Sequence, residues 1–223
     1  DEVQVPQVSL RDGLVADLLP GALGPHYLDR EHLVAEAKAL VSRFGGDLVY
    51  AENTTSLAVQ LFDQTEKVHG LDHRERTLLE FAALVHDIGA YINVRGRHKH
   101  TMYILEQTDI PGLTADEKRV VSQIARYHRR NQPAAHHLEF QGMSRRDKVI
   151  VRQLASMLRI AYALDVERNQ RIKRLQCELN PGRLLIRVDR RQIALERIAT
   201  DEKKRMFEDA FGLRVEILPR EVE

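Results

Sequence analysis

Cysteine is nearly absent: Cys177 stands alone in 223 residues. That excludes an internal disulfide and suits a reducing compartment. No apolar run reaches the roughly 18 residues of a membrane-spanning helix, and no charged-then-apolar leader precedes the first pattern. We expect a soluble, cytoplasmic chain with no membrane partner. An excess of one charge is also lacking, with 34 Lys and Arg against 33 Asp and Glu and a formal net charge of +1. A balance that close gives no global pull toward nucleic acid, so any anion site must be a local patch. Internal repeats and low-complexity linkers are missing. The glycines fall at helix ends, which leaves no glycine-rich phosphate loop. The basic stretches are not interleaved with aromatic residues that would stack bases, so specific nucleic-acid recognition is not expected. The first residue is Asp1 rather than Met, and we expect the chain to be a piece of something longer.

What is present is helical pattern. Residues 1–25 hold Pro6, Pro20, Gly13, Gly21 and Gly24 and read as irregular. Asp29 is the expected N-cap of "REHLVAEAKALVSRF", which Gly45-Gly46 stops. "TTSLAVQLFDQTEKV" follows, ending at Gly70, and then "RERTLLEFAALVHDI", ending at Gly89. The second half of that helix is apolar on nearly every side, which predicts a helix surrounded by others. "LTADEKRVVSQIARYHRR" opens with Thr114 and Glu117 at capping-box spacing. "RDKVIVRQLASMLRIAYALDVERNQ" starts after Ser144, a second candidate cap. Beyond residue 172 the pattern changes. "LQCELN" and "RLLIRVD" flank a Pro-Gly turn as two strands, "QIALER" alternates like a third, "DEKKRMFEDAF" is a short helix and "LRVEIL" a last strand. The expected fold is mainly α: a helical bundle followed by a small α+β lobe.

The chemistry-bearing cluster is "ALVHDIGAYINVRGRHKHTMYIL". His86 and Asp87 are adjacent, and a divalent ion held there would need further His or carboxylate ligands from other helices. His100 and His128 are the candidates, each beside apolar residues at helical spacing, and only one of His98 and His100 can share that face. Histidines on apolar faces are also common as hydrogen-bonded core residues, and a His-Asp pair can be a simple charge-assisted bond. Spacing leaves both open. Around the cluster lie Arg95, Arg97, Lys99, Arg126, Arg129 and Arg130. Residues 95–130 carry eight Lys or Arg against four Asp or Glu. Guanidinium groups suit bidentate phosphate contacts, so these six are the expected phosphate-binding residues. A solvated helix face is the plainer alternative.

"FAALVHDIG" resembles the His-Asp signature of the HD superfamily of metal-dependent phosphohydrolases. "LAVQLFDQ", "AALVHDIG", "HKHTMYIL", "IARYHRR", "LASMLRIAYALD" and "MFEDAFG" occur in the order of the exopolyphosphatase/guanosine pentaphosphate phosphatase (Ppx/GppA) family, and resemble its C-terminal half. "VSLRDGLVADLL" is similar to the segment that closes the family's actin-like catalytic half. The resemblance implies three parts: 1–25 as the end of that half, 26–172 as an HD-like helical domain, and 173–223 as a small α+β lobe. It implies that His86, Asp87, His100 and His128 match the pair and the intermediate histidines of the HD pattern. The pattern's first His falls near Tyr50 or Asn53 and its last Asp at Tyr162, so two ligands are replaced. Asp165 matches a second, non-ligand acid. A site so reduced would hold Mg²⁺ weakly and suit Mn²⁺, Ni²⁺ or Zn²⁺ better.

The resemblance further implies a chain that binds inorganic polyphosphate or guanosine pentaphosphate. It would support phosphoanhydride hydrolysis by an actin-like half of the same protein and help form a homodimer. On this reading the chain by itself lacks the polyphosphatase active site. The alternatives are an independent metal-dependent HD phosphohydrolase acting on nucleotides, and a purely structural dimerisation domain.

Overall fold

The structure is a computed structural model that describes residues 30–134 and 136–219. The irregular segment 1–25 and the Asp29 cap lie outside the described residues. Helix α1 (Arg30–Arg43) leads through Gly45-Gly46 into α2 (Leu48–Gln64), α3 (Glu66–His69) and α4 (His73–Val85). A 3₁₀ turn (Ile88–Tyr91) precedes α5 (Arg97–Gln107), α6 (Ala115–Tyr127), α7 (Leu138–Gln141) and the 20-residue α8 (Arg145–Leu164). Then come β1 (Leu175–Asn180), β2 (Arg183–Val188), α9 (Ala194–Lys203), α10 (Arg205–Phe211) and β3 (Arg214–Pro219). The fold is mainly α with a small α+β lobe, as the pattern predicts.

Helix α4 is the axis of the bundle. Its N-terminus is fixed by a reciprocal capping box: the Asp72 carboxylate accepts from the backbone of Arg74 and Glu75, and Glu75 accepts from the Asp72 N–H. Every residue from Thr77 to Val85 is buried, because α1, α2, α6 and α8 pack around it. An all-round apolar helix has no other way to leave water. The Thr114–Glu117 capping box and the Ser144 cap are present as expected.

Several boundaries differ from the sequence reading: α2 begins at Leu48 rather than Thr54 and breaks at Thr65, and α8 ends at Leu164 rather than Gln170. Helix α4 stops at Val85 rather than running to Gly89, so His86 caps it and Asp87 turns away with φ −113° and ψ 2°. "QIALER" is not a strand; it enters α9 at Ala194. Ile193, Glu196 and Thr200 are the buried positions and Leu195 and Ile198 the exposed ones. That is a helical period, which the short Ile193–Leu195 alternation cannot reveal.

The sheet has order β1-β2-β3, with an antiparallel hairpin and then a parallel pair bridged by α9 and α10. Pro181 and Gly182 (φ +71°) turn the hairpin, proline at the first central position and glycine at the left-handed second. Two glutamines of α2 pair with β1 as a neighbouring strand would. Gln60 accepts from the Leu175 N–H and donates to the Lys173 carbonyl, and Gln64 donates to the Leu175 carbonyl and accepts from the Cys177 N–H. Four helical residues rise about 6 Å and two strand residues about 6.8 Å, so side chains one turn apart match the strand repeat. One continuous apolar core runs through bundle and lobe.

Candidate functional site

His86 and Asp87 sit where α4 gives way to the 3₁₀ turn, and His128 caps α6. These three bring one donor atom each to within 4.8 Å of one another. The two imidazole rings meet edge to face at 4.9 Å. Each donates its Nδ1–H to a carbonyl one turn back, His86 to Ala83 and His128 to Ala125, both at 2.6 Å. That fixes the tautomer and leaves Nε2 bare on both rings. The His86 Nε2 faces the Tyr50 hydroxyl at 3.4 Å, while the buried His128 Nε2 has no hydrogen-bond partner among the described residues. Tyr162 closes the site, 5.3 Å from His128 and 6.1 Å from His86 between ring centres. Tyrosines thus stand at two of the positions where the resemblance looks for ligands. Asn53, one turn from Tyr50, instead donates to Asp165.

Two guanidinium groups hold Asp87. Arg97 is ion-paired with its Oδ1 and Arg168 with its Oδ2. Arg97 also donates to the Tyr162 hydroxyl at 3.2 Å, and Arg168 lies over the Tyr50 ring at 4.3 Å. The donors of a divalent ion are therefore assembled, yet both carboxylate oxygens are taken by cations. The carboxylate and its two arginines already sum to one positive charge, and a divalent ion would raise that to three in a largely buried space. As arranged, the site does not fit a divalent ion.

Burial pushes both imidazoles below their ordinary range, His128 furthest, with the Asp87 carboxylate opposing the shift at His86. Unfolded, each takes up a proton near pH ~6.5. The folded state refuses it, so the unfolded chain binds more protons once pH falls below that value, and acid favours unfolding. This contribution is full above pH ~6.5 and is lost progressively as pH falls below it, and His98, whose imidazole burial also pushes down, adds to the loss. The urea midpoint measured between pH 7.5 and 5.5 reports it, and His128→Gln should remove part of the drop. A midpoint that does not move would mean the imidazoles are charged in the fold.

His100 does not join the triad. It is half-buried on α5, where its backbone runs against Gly89. His98 is the buried member of the pair, its Nδ1 without a hydrogen-bond partner among the described residues. The stripe His98, Thr101, Met102 and Leu105 at helical spacing is the sequence signal that points to it. His98 lines a cavity of about 330 Å³ with Lys99, Arg126, Tyr127, Asn131, His136 and His137, and with one carboxylate, Glu139. Burial pushes its imidazole down to about 4, and the charges of Arg130, Lys99, Arg126 and Arg129 act in the same direction. Among the described residues none of those four cations has a carboxylate in ion-pair contact. Arg97 has turned inward to Asp87, and Arg95 is exposed in the loop before α5. The segment carrying Arg129 and Arg130 is anchored from below. Buried Arg159 donates to the Tyr127 and Arg130 carbonyls at 3.0 and 2.9 Å, and burial pulls its guanidinium down to about 10.

The model of Ppx/GppA phosphatase domain III matches residues 34–197. Two guanosine-5'-triphosphate,3'-diphosphate pyrophosphatases are similar over 163 residues: that of Aeromonas hydrophila subsp. hydrophila at 32% identity and that of Aeromonas salmonicida at 31%. Each match takes in 73% of this chain and 31% of the relative, so the chain spans well under two thirds of those proteins' length. Among the described residues no helix is long and apolar enough to cross a membrane. With a family model covering most of its length and the bundle built as described, the chain belongs to the Ppx/GppA phosphatase family, through that family's domain III.

Proposed function

We propose that this chain is the polyanion-holding part of a phosphoanhydride hydrolase and does no hydrolysis of its own. The observation that carries the reading is the group Lys99, Arg126, Arg129 and Arg130, without a carboxylate ion pair among the described residues: Lys99 and Arg126 line the His98 cavity with a single carboxylate, Glu139, and the charges of Arg129 and Arg130 reach His98 from beside it. Cations left without carboxylate partners repel one another, and an anionic ligand relieves that repulsion. Planar guanidiniums engage phosphate oxygens two at a time. The ligand is inorganic polyphosphate or guanosine pentaphosphate; the names of the Aeromonas relatives, guanosine-5'-triphosphate,3'-diphosphate pyrophosphatases, favour the pentaphosphate for the whole protein. Hydrolysis belongs to an actin-like half of the same protein, preceding residue 26, with the bundle to residue 172 and the lobe after it as supports. The assembly is a homodimer in the cytoplasm, a placement that suits the single free thiol. A dimer surface is offered by the exposed Leu195 and Ile198 on α9. No step is routed through a divalent ion, because Arg97 and Arg168 hold the carboxylate it would need.

Calorimetric titration with medium-chain polyphosphate tests this. Wild type should bind, with affinity falling steeply as salt rises, since displaced counterions accompany each neutralised phosphate. Changing Lys99, Arg126, Arg129 and Arg130 to Gln together should weaken binding by at least about tenfold and flatten the salt dependence. Equal affinity in the quadruple variant would sink the proposal in favour of a structural role.

A further inference from the structure

The triad of His86, Asp87 and His128 has the bare nitrogens of an ion site and the wrong company for one. We propose that Arg97 and Arg168 jointly replace a divalent cation at this centre, and that a metal site lies latent beneath them. It does not rest on polyphosphate binding.

Three observations carry it. The first is the donor chemistry. Both imidazoles are locked by carbonyl hydrogen bonds into the tautomer that presents Nε2, the arrangement that orients a metal ligand. The His128 Nε2 is buried and finds no hydrogen-bond partner among the described residues. A buried acceptor without a partner is costly in a finished core and expected where a cation has been withdrawn. The second is the charge. Asp87 is the carboxylate of the triad, and each of its oxygens is matched by one guanidinium. The total positive charge brought in by the two arginines equals that of one divalent ion, delivered from opposite sides.

The third is the backbone. Arg168 is held at φ +55°, a left-handed conformation that glycine or asparagine adopts more readily. Asp165 imposes it: its carbonyl accepts from the Arg168 N–H and its carboxylate from the Gln170 N–H, while Asn53 steadies its other oxygen. The loop is built to return a long cation over the Tyr50 ring and onto Asp87. Gln170 in the same loop is also left-handed, at φ +48°; at Arg168 the ion pair and ring contact compensate the strain.

The test is a gain of function. Purified protein is stripped with chelator, loaded with Co²⁺, desalted and read by elemental analysis and by the visible absorption of bound Co²⁺. Three forms are compared: wild type, Arg168→Gly, and Arg97→Met with Arg168→Gly. Wild type should keep little Co²⁺ at this centre. The double variant should hold about one ion per chain, with apparent affinity raised by about tenfold to a hundredfold, and His128→Ala added to it should abolish both ion and spectrum. Arg168→Gly alone relieves the left-handed strain and keeps the other pair, so it folds even if the double variant does not; about a tenfold gain is expected from it. Two results overturn the proposal. One is a wild type that already retains an ion lost on His128→Ala. The other is a folded variant, double or single, whose Co²⁺ affinity does not rise.

Discussion

Replacing Gly89 with alanine lowers the unfolding free energy by roughly 3–5 kcal/mol, toward the upper end of single-residue effects. A Cβ built at Gly89 would lie 2.1 Å from the Arg97 carbonyl oxygen and 2.3 Å from the Thr101 nitrogen. Both neighbours are backbone, so no rotamer change relieves the overlap. The first turn of α5 must move away from the 3₁₀ turn instead. That movement breaks the Thr101 hydroxyl bridge, which accepts from the Gly89 N–H and donates to the His86 carbonyl. It also carries Arg97 off Asp87. Chemical denaturation of wild type and Gly89→Ala at pH 7.5 measures the loss. A difference under about 1 kcal/mol would mean that α5 docks loosely and that this close approach is not a constraint.

Asp87→Ala is the second substitution with a large expected effect, about 2–4 kcal/mol of destabilisation. It strands two cations that share one carboxylate. Removing one partner of a buried pair costs about 3–5 kcal/mol because the other charge is left without compensation. The figure here is set lower because the Arg168 side chain is 36% exposed and can turn to water. Arg97, with a 9% exposed side chain, cannot. The informative comparison adds Arg97→Met to Asp87→Ala. Burying an apolar chain in place of an orphaned guanidinium should restore at least about 1 kcal/mol, so the double variant comes out more stable than Asp87→Ala alone. If the two losses simply add, the pair is not coupled and Arg97 is held by something other than Asp87.

Both substitutions act on features that differ in how visible they are along the chain. The central helix is legible because "TLLEFAALV" has no polar face to give to solvent, and the Thr114–Glu117 and Ser144 caps are legible because their partners lie three residues away. The convergence of His86, Asp87 and His128 is legible through the family resemblance, although spacing leaves it open. Arg168 is not legible: it lies 81 residues from Asp87, and its approach depends on a left-handed loop set by Asp165. Arg97 reads as one of six basic residues, and nothing local says that it alone turns inward. His98 and His100 differ only in which side of α5 they occupy. The helix start at Arg97, which decides that, is set by Gly89 and Gly96 rather than by either histidine. The tyrosines at positions 50 and 162 carry a usable hint, since large rings at two vacated ligand positions suit a site filled with protein.

The glutamine seam between α2 and β1 has a consequence for how copies of this chain meet. An exposed sheet edge invites a strand from another molecule, the route to open-ended stacking. At Leu175 and Cys177 that invitation is already answered from within the chain by two amide side chains. Sheet growth is therefore blocked along the first half of β1, and self-association there has to proceed through side-chain surfaces, where shape and charge select the partner, rather than through main-chain pairing, which accepts almost any extended segment.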